Sequence, residues 1–199
     1  MRYPKLRELK EAIRALIKGP YTNSFPYQPH KPFERFRGRS EFHEEYCIGC
    51  TACAEVCPAK AITVEDIKDK RVLTVCWDLC IFCGQCQANC PPQKGIMLSQ
   101  EFDLATTEKR EDLKQRIEKK LVFCNCCGEI IAPYDQILWV AKKIGPLSFS
   151  NASLMLFYLK NLNLVLKEEP SLKEELEFMR TDRIKLLCPR CRREAVFKS

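Results

Sequence analysis

The sequence predicts an α+β fold. A duplicated unit of strand, cysteine loop, short helix and strand lies between an amphipathic N-terminal helix and a C-terminal helical domain closed by four cysteines. Three observations predict it. Residues 47–58 (CIGCTACAEVCP) and 80–91 (CIFCGQCQANCP) repeat one spacing of four cysteines and a proline. Between them, 61–64 and 72–75 are short apolar stretches around a charged turn and read as a hairpin, with Ile96–Leu98 as the matching strand after the second run. Further on, the C-x2-C knuckles Cys124/Cys127 and Cys188/Cys191 bracket two apolar helical stretches, Tyr134–Ile144 and 152–166.

The repeated spacing C-x2-C-x2-C-x3-C-P is that of the bacterial-type 2[4Fe–4S] ferredoxin fold, in which the fourth cysteine of each run ligates the other cluster. On that rule Cys47, Cys50, Cys53 and Cys90 hold one [4Fe–4S] cluster, and Cys80, Cys83, Cys86 and Cys57 hold the second. Gaps of two residues let a loop present three thiolates to three corners of a cube. The longer gap starts a helical turn that points the fourth thiolate away, and the proline, with no N–H to give, ends that turn. Ile48, Ile62, Val72, Leu73, Ile81, Phe82 and Ile96 are the expected apolar shell that keeps water from the cubes. Gly49 and Gly84 stand where backbone passes close to sulfide. Cys76 has no place in the pattern and reads as a buried free thiol.

Composition limits the alternatives. The chain has 199 residues and 14 cysteines. Residues 1–19 are charged throughout and lack the apolar core of a secretory leader, and no run of about 18 apolar residues occurs, so no membrane span is expected. The thiols therefore read as metal ligands in a reducing compartment rather than as disulfides. The formal charge of +7 invites a nucleic-acid reading. Three four-thiolate metal sites at about −2 each would bring it to roughly +1, so most of the basic excess is local compensation. Only two histidines occur, His30 and His43, in no nucleophile or general-base arrangement, and no phosphate-cradling glycine loop is present. No catalytic residue is assigned.

The predicted organisation is an amphipathic helix (1–20), an extended strap (21–45), the two-cluster domain (46–105), a charged linker helix (106–120) and a zinc-knuckle helical domain (121–199). Within 5–18, Leu6, Leu9, Ile13, Leu16 and Ile17 share one helical face, and Gly19-Pro20 stops the helix. That face could lie at a membrane surface, dock on a partner subunit or cover the protein's own core. In the strap, Pro26, Pro29 and Pro32 alternate with aromatic and basic residues. Arg35, Arg37 and Arg39 precede the first run, where they could offset cluster charge, receive an acidic partner or stand in a solvated loop. The linker 106–120 favours helix and carries Leu113 and Ile117 as its apolar pair.

Two C-x2-C knuckles typify a four-thiolate zinc site, which assigns one Zn²⁺ to Cys124, Cys127, Cys188 and Cys191. Cys126 could replace either member of the first pair; the outer pair gives the knuckle its two-residue gap. Val122, Phe123, Ile130 and Ile131 on one side, and Leu186, Leu187, Val196 and Phe197 on the other, are expected as flanking strands. Pro170 separates the second apolar helix from a charged one over 171–179.

The run from Gly19-Pro20 through FERFRGR to CIGC resembles the ferredoxin-like subunit shared by respiratory complex I and the membrane-bound [NiFe] hydrogenases. CIFCGQC, then IMLSQEFDLA, FCNCCG and a late CPRC, is similar to the two-cluster subunit of formate hydrogenlyase and hydrogenase-4-type complexes. The resemblance covers about 18–105 and resumes at both knuckles. Departures are the longer stretch between the knuckles and a crowded CNCC where the family has C-x-C-x2-C. The resemblance implies an electron-transfer subunit in the peripheral arm, on the cytoplasmic side of a membrane complex. Its partners would be the other subunits of a [NiFe] hydrogenase-type complex and an electron donor such as a ferredoxin or a formate dehydrogenase iron–sulfur subunit. A freely diffusing soluble ferredoxin is the alternative. A nucleic-acid binder using Arg190, Arg192 and Arg193 lacks the aromatic stacking pattern such proteins need, so nucleic acid is not an expected partner.

Overall fold

The computed structural model describes residues 5–19, 22–107, 109–164 and 184–197. The chain divides into two units, Met1–Phe36 and Arg37–Ser199.

The first unit begins with helix α1 (Leu6–Lys18). The backbone N–H of Lys5 donates to Glu8 Oε2 at 3.0 Å, which satisfies one of the free donors at the helix start. Gly19, at φ +76°, takes the chain out, and its N–H closes on Ala15 O at 3.0 Å. The apolar stripe is not spent on a core: no residue of α1 is buried, and Leu16 is 85% exposed. From 22 to 36 the chain forms no strand or helix and makes turns at 25–27 and 34–35, and Tyr27 and Phe33 are exposed.

The second unit is mixed α+β. Its strands are β1 (Ser40–Phe42), β2 (Ile62–Ile67), β3 (Lys70–Cys76), β4 (Ile96–Leu98), β5 (Lys114–Phe123) and β6 (Ile130–Pro133). Short helices α2 (Ala52–Glu55) and α3 (Gln85–Ala88) follow the two cysteine loops, and α4 (Tyr134–Ile144), α5 (Ala152–Asn161) and α6 (Pro189–Phe197) belong to the tail. The hairpin β2–β3 forms with Ile62 opposite Val75 and Val64 opposite Leu73. β4 pairs antiparallel with β1, Ile96 opposite Phe42. That partner lies in the stretch assigned to the strap. Gly38 extends the pairing, its N–H donating to Ser99 O at 2.9 Å. A Cβ at Gly38 would sit 2.3 Å from the Glu101 carbonyl oxygen, so no side chain fits there.

The stretch expected as an exposed helix, 106–120, is instead a 3-10 turn over Arg110–Leu113 followed by β5. β5 pairs with β3, Leu73 opposite Ile117, and with β6, Leu121 opposite Pro133, giving one antiparallel sheet in the order β2-β3-β5-β6. Leu113 and Ile117 looked like a helical i, i+4 pair. They also belong to the period-two series Gln115, Ile117, Lys119, Leu121, and that series faces inward. Pairing with β3 and burial of Ile117 and Leu121 outweigh the helix propensity of the charged residues between them. Gln115 adds a cross-tie: its Oε1 accepts from Phe42 N at 2.7 Å and its Nε2 donates to Phe42 O at 3.1 Å, coupling β1 to β5 through a side chain.

One core gathers Phe42, Ile62, Leu73, Val75, Trp77, Ile96 and Ile117 with Cys47, Cys53 and Cys86. Trp77 Nε1 donates to Ser40 O at 2.7 Å, and the Arg39 guanidinium stacks 4.6 Å from its ring centre. Of the expected apolar shell, Ile48, Ile62, Val72, Leu73 and Ile96 are buried and Phe82 is half-buried, whereas Ile81 is 61% exposed. Ile81 follows Cys80 on the outer side of its loop, facing away from this core.

In the tail, Val122, Phe157 and Leu186 pack with Ile131, Tyr134, Ile137 and Leu138. The expected helix at Tyr134–Ile144 forms with those bounds. The one expected over 152–166 ends at Asn161, where Asn163 takes φ +57°, and residues past 164 there lie outside the described ones, as do Pro170 and the helix expected over 171–179. The strands Val122–Phe123 and Ile130–Ile131 are present within β5 and β6. Those expected at Leu186–Leu187 and Val196–Phe197 are not: the first pair has no regular structure and the second lies on α6. Pro189, directly after Cys188, occupies the first helical position, where its missing N–H costs nothing, so the knuckle runs into a helix.

Candidate metal centres

The two cysteine runs adopt the same backbone. Two residues after the first cysteine of each run, Gly49 and Phe82 have φ +70° and +53°; four residues after it, Thr51 and Gly84 have φ +67° and +80°. Three residues after the last cysteine, Lys60 and Gln93 have φ +49° and +64°. Left-handed backbone is costly for residues with a Cβ, and its recurrence at three matched positions marks a shape both runs must take. The shape turns amide N–H groups toward sulfur. Phe82 N donates to Cys80 Sγ at 3.4 Å and Ala61 N to Cys57 Sγ at 3.3 Å.

The thiols interact in two groups that cross the duplication. Burial raises the Cys47 thiol above its ordinary value; the Gly49 N–H and the Lys119 charge pull against it, while Cys50 and Cys90 add to it. Cys86 is pushed up to about 11, by burial first and then by Cys80, Cys83 and Cys57, with the Gln87 N–H opposing. Cys57 thus stands with the second run and Cys90 with the first. Cys53, pushed up to about 12 by burial and then by Cys47, Cys50 and Cys86, borders both groups. Cys47, Cys50, Cys53 and Cys90 line one cavity of about 280 Å³, its mouth included, together with Phe42, Ile48 and Ile96. Gly95 closes its wall: a Cβ there would meet Cys90 Sγ at 3.1 Å and Cys47 Cα at 3.2 Å. Soft sulfur donors gathered around an apolar cavity suit an iron–sulfur cube, whose iron would balance the charge of the thiolates that held it.

Among the described residues, Cys124, Cys127, Cys188 and Cys191 bring their Sγ atoms within 4.8 Å of one another. Cys127 Sγ lies 3.7 Å from Cys188 Sγ. That is far longer than a disulfide and close to the edge of about 3.8 Å that tetrahedral zinc–sulfur bonds of about 2.3 Å require. The knuckle turns by Gly128 N to Cys124 O at 3.0 Å, with Gly128 at φ +73°. Burial pushes the Cys124 thiol up, but the N–H groups of Cys127, Cys188 and Cys126 outweigh it and bring it down to about 7. Cys191, by contrast, is raised by burial and by its sulfur neighbours. Cys126 is half-buried and outside the four, as is Cys76, which is half-buried at the end of β3 rather than fully enclosed.

The basic residues are distributed differently from the sequence expectation. Arg37 Nη1 donates to Cys83 O at 3.1 Å, so it attends the second run rather than the first, and it is exposed. Arg39 pairs with Glu41 at 2.7 Å and Glu101 at 2.6 Å. Arg35 is exposed. Two cations that the sequence reading missed lie against the first run. Arg71 Nη1 donates to Gly49 O at 3.3 Å while its Nε holds Asp66 at 2.7 Å, a hydrogen bond that keeps the Asp66 carboxyl below its ordinary value. Lys119 is 7% exposed and donates from Nζ to Glu44 O at 2.6 Å and Asp135 Oδ2 at 2.9 Å. A lone lysine on the inward series of an alternating strand was the signal for it.

Residues 46–94 match the family model of the 4Fe–4S dicluster domain. The chain is 40% identical over 131 residues to formate hydrogenlyase subunit 6 of Escherichia coli, covering 63% of this chain and 70% of that one. It is 32% identical over 130 residues to NADH-quinone oxidoreductase subunit I 2 of Geobacter metallireducens, covering 59% of this chain and 98% of that one. To NAD(P)H-quinone oxidoreductase subunit I of Gloeobacter violaceus it is 33% identical over 99 residues, and there it spans 47% of the relative's length. A dicluster signature over the two runs, carried into relatives matched over most of their length, places the chain in the 4Fe–4S dicluster family that contains formate hydrogenlyase subunit 6 and the I subunits of the quinone oxidoreductases.

Proposed function

We propose that the protein relays single electrons as a peripheral subunit of a membrane-bound hydrogenase-type complex, on its cytoplasmic side. Cys47, Cys50, Cys53 and Cys90 hold one [4Fe–4S] cluster, and Cys80, Cys83, Cys86 and Cys57 hold the other. The observation that supports this most is the crossing of Cys57 and Cys90 between the two thiol groups. When bound, each cluster supplies storage for one electron at a time, with no bond made or broken in a substrate.

The chain's own residues do the rest. Phe42, Ile48 and Ile96 exclude water from the first site, and the Ala61 and Phe82 N–H groups that point at Cys57 and Cys80 stabilise negative charge at the second. Cys53 feels the charge of Cys86 as well as that of Cys47 and Cys50, which supports a short path for an electron between the two sites. Cys124, Cys127, Cys188 and Cys191 hold one structural Zn²⁺, which ties α6 to the end of β5. No described helix is long and apolar enough to cross a membrane, so attachment runs through partner subunits, with the bare apolar stripe of α1 available for contact. The electron donor is a ferredoxin or a formate dehydrogenase-type iron–sulfur subunit.

The test is anaerobic purification from untreated cell extract under native conditions. Co-elution with hydrogenase-type subunits is the expected result. Elution of the chain alone, with both clusters intact, would instead identify a diffusing soluble carrier.

A further inference from the structure

Both cluster sites are four-thiolate, yet their surroundings differ in charge. Lys119 comes from β5, outside the duplicated runs, and its stem lies against the first cysteine loop. A Cβ added to Gly49 would be 3.2 Å from both Lys119 Cβ and Cγ. The ammonium is held by the Glu44 carbonyl, three residues before Cys47, and by Asp135 in the first turn of α4. With 7% of its surface exposed, this charge acts through protein rather than through water. The cation at the second loop, Arg37, bonds the Cys83 carbonyl from an exposed position, where solvent screens it.

Adding an electron to a four-thiolate cube makes it more negative, so a fixed buried cation favours the reduced form and raises the potential. Asp135, 43% exposed at its side chain, neutralises part of that cation. We propose that Lys119 is the positioning charge that lifts the reduction potential of the cluster at Cys47, Cys50, Cys53 and Cys90, and that Asp135, reaching from the tail, sets the size of the lift. This rests on the relay reading above. It gives the tail a role beyond clasping a metal: through β5 and α4 it biases on which of the two clusters an electron rests.

The experiment is a redox titration of the anaerobically purified holoprotein, followed by electron paramagnetic resonance, on wild type, Lys119→Met, Lys119→Arg and Asp135→Asn. Cys50→Ser identifies which signal belongs to the first site. At the potential where that site is half reduced in wild type, Lys119→Met is expected to lower its reduced-to-oxidised ratio about tenfold, a shift of about 59 mV for a one-electron couple. Lys119→Arg is expected to keep the wild-type potential. Asp135→Asn retains an acceptor for the ammonium but removes the opposing charge, so it is expected to move the same signal the other way, with the second signal unmoved. A purely structural lysine would give no opposed pair of shifts. Equal movement of both signals, no movement, or the same direction for Lys119→Met and Asp135→Asn would overturn the proposal. If Lys119→Met fails to load its clusters, Asp135→Asn decides alone: a positive shift supports, anything else overturns. Absence of two cluster signals in wild type is a different failure, that of the relay reading itself.

Discussion

On the proposed ligand crossing, Cys57→Ser is expected to strip or convert the cluster assigned to Cys80, Cys83 and Cys86, which follow it by 23 to 29 residues and a hairpin, while the cluster assigned to its own neighbours Cys47, Cys50 and Cys53 survives. The reason is the crossing. Cys57 follows the short helix α2, with its N–H turned back to Ala54 O at 3.2 Å, and its thiol adds to the charge felt by Cys86. Serine offers a hard, weakly acidic oxygen where iron needs a soft thiolate, so the fourth corner of the distant cube is left without its ligand. Iron content is expected to fall toward half, and one of the two resonance signals to vanish or change character. Loss confined to the signal that Cys50→Ser also alters would show that each run closes its own cube, contrary to the assignment.

The second large effect is expected at the four-cysteine group. Cys188 is 1% exposed, its N–H donates to Cys124 Sγ at 3.3 Å, and its own sulfur accepts from Cys191 N at 3.5 Å. Around it, Leu187, Cys191 and Ala195 form a core too small to hold α6 by apolar burial alone. Structural zinc contributes on the order of 10 kcal/mol in small zinc domains, because the site does not exist in the unfolded chain. With zinc as the proposed occupant, Cys188→Ser is therefore expected to lose the metal, free α6 from the end of β5 and expose the tail to protease. The clusters are expected to persist, since Ile117 on β5 packs in the cluster-bearing core and its pairing with β3 does not pass through the knuckle. Metal analysis with limited proteolysis reads the first outcome and the visible spectrum the second. A Cys188→Ser protein that keeps its zinc and its protease resistance contradicts the clasp.

What could be read from residues alone follows from what kind of constraint each residue carries. The cysteine runs are legible because ligand spacing is a local geometric demand, and the structure meets it with matched left-handed residues at Gly49 and Phe82, Thr51 and Gly84, Lys60 and Gln93. Glycine appears at only one member of two of these pairs, so glycine placement alone did not reveal the symmetry. Both knuckle pairs and the helix Tyr134–Ile144 are local in the same sense, and the structure brings the four expected sulfurs together.

β5 was not legible for the opposite reason. Its residues favour helix one at a time, and they become strand because β3 offers an unpaired edge from some forty residues earlier. With β5 misassigned, Lys119 fell on an exposed helix face and its place beside the first cysteine loop was invisible. Gln115 was missed likewise: a glutamine that bridges two sheets by bonding both backbone groups of Phe42 has no sequence signature. Arg37 precedes the first run in sequence yet bonds the Cys83 carbonyl of the second, and β1, just after it, pairs with the strand that follows that second run.

The central claim is that thiolates from each half of the duplication close the other half's cube, next to a separate four-sulfur metal site. Iron, acid-labile sulfide and zinc should be counted per chain in protein kept free of oxygen, and the dithionite-reduced sample examined for magnetic interaction between clusters. The account predicts about eight iron, eight sulfide and one zinc, with two spins that broaden each other. About four iron, or two cluster signals that ignore one another, would contradict it.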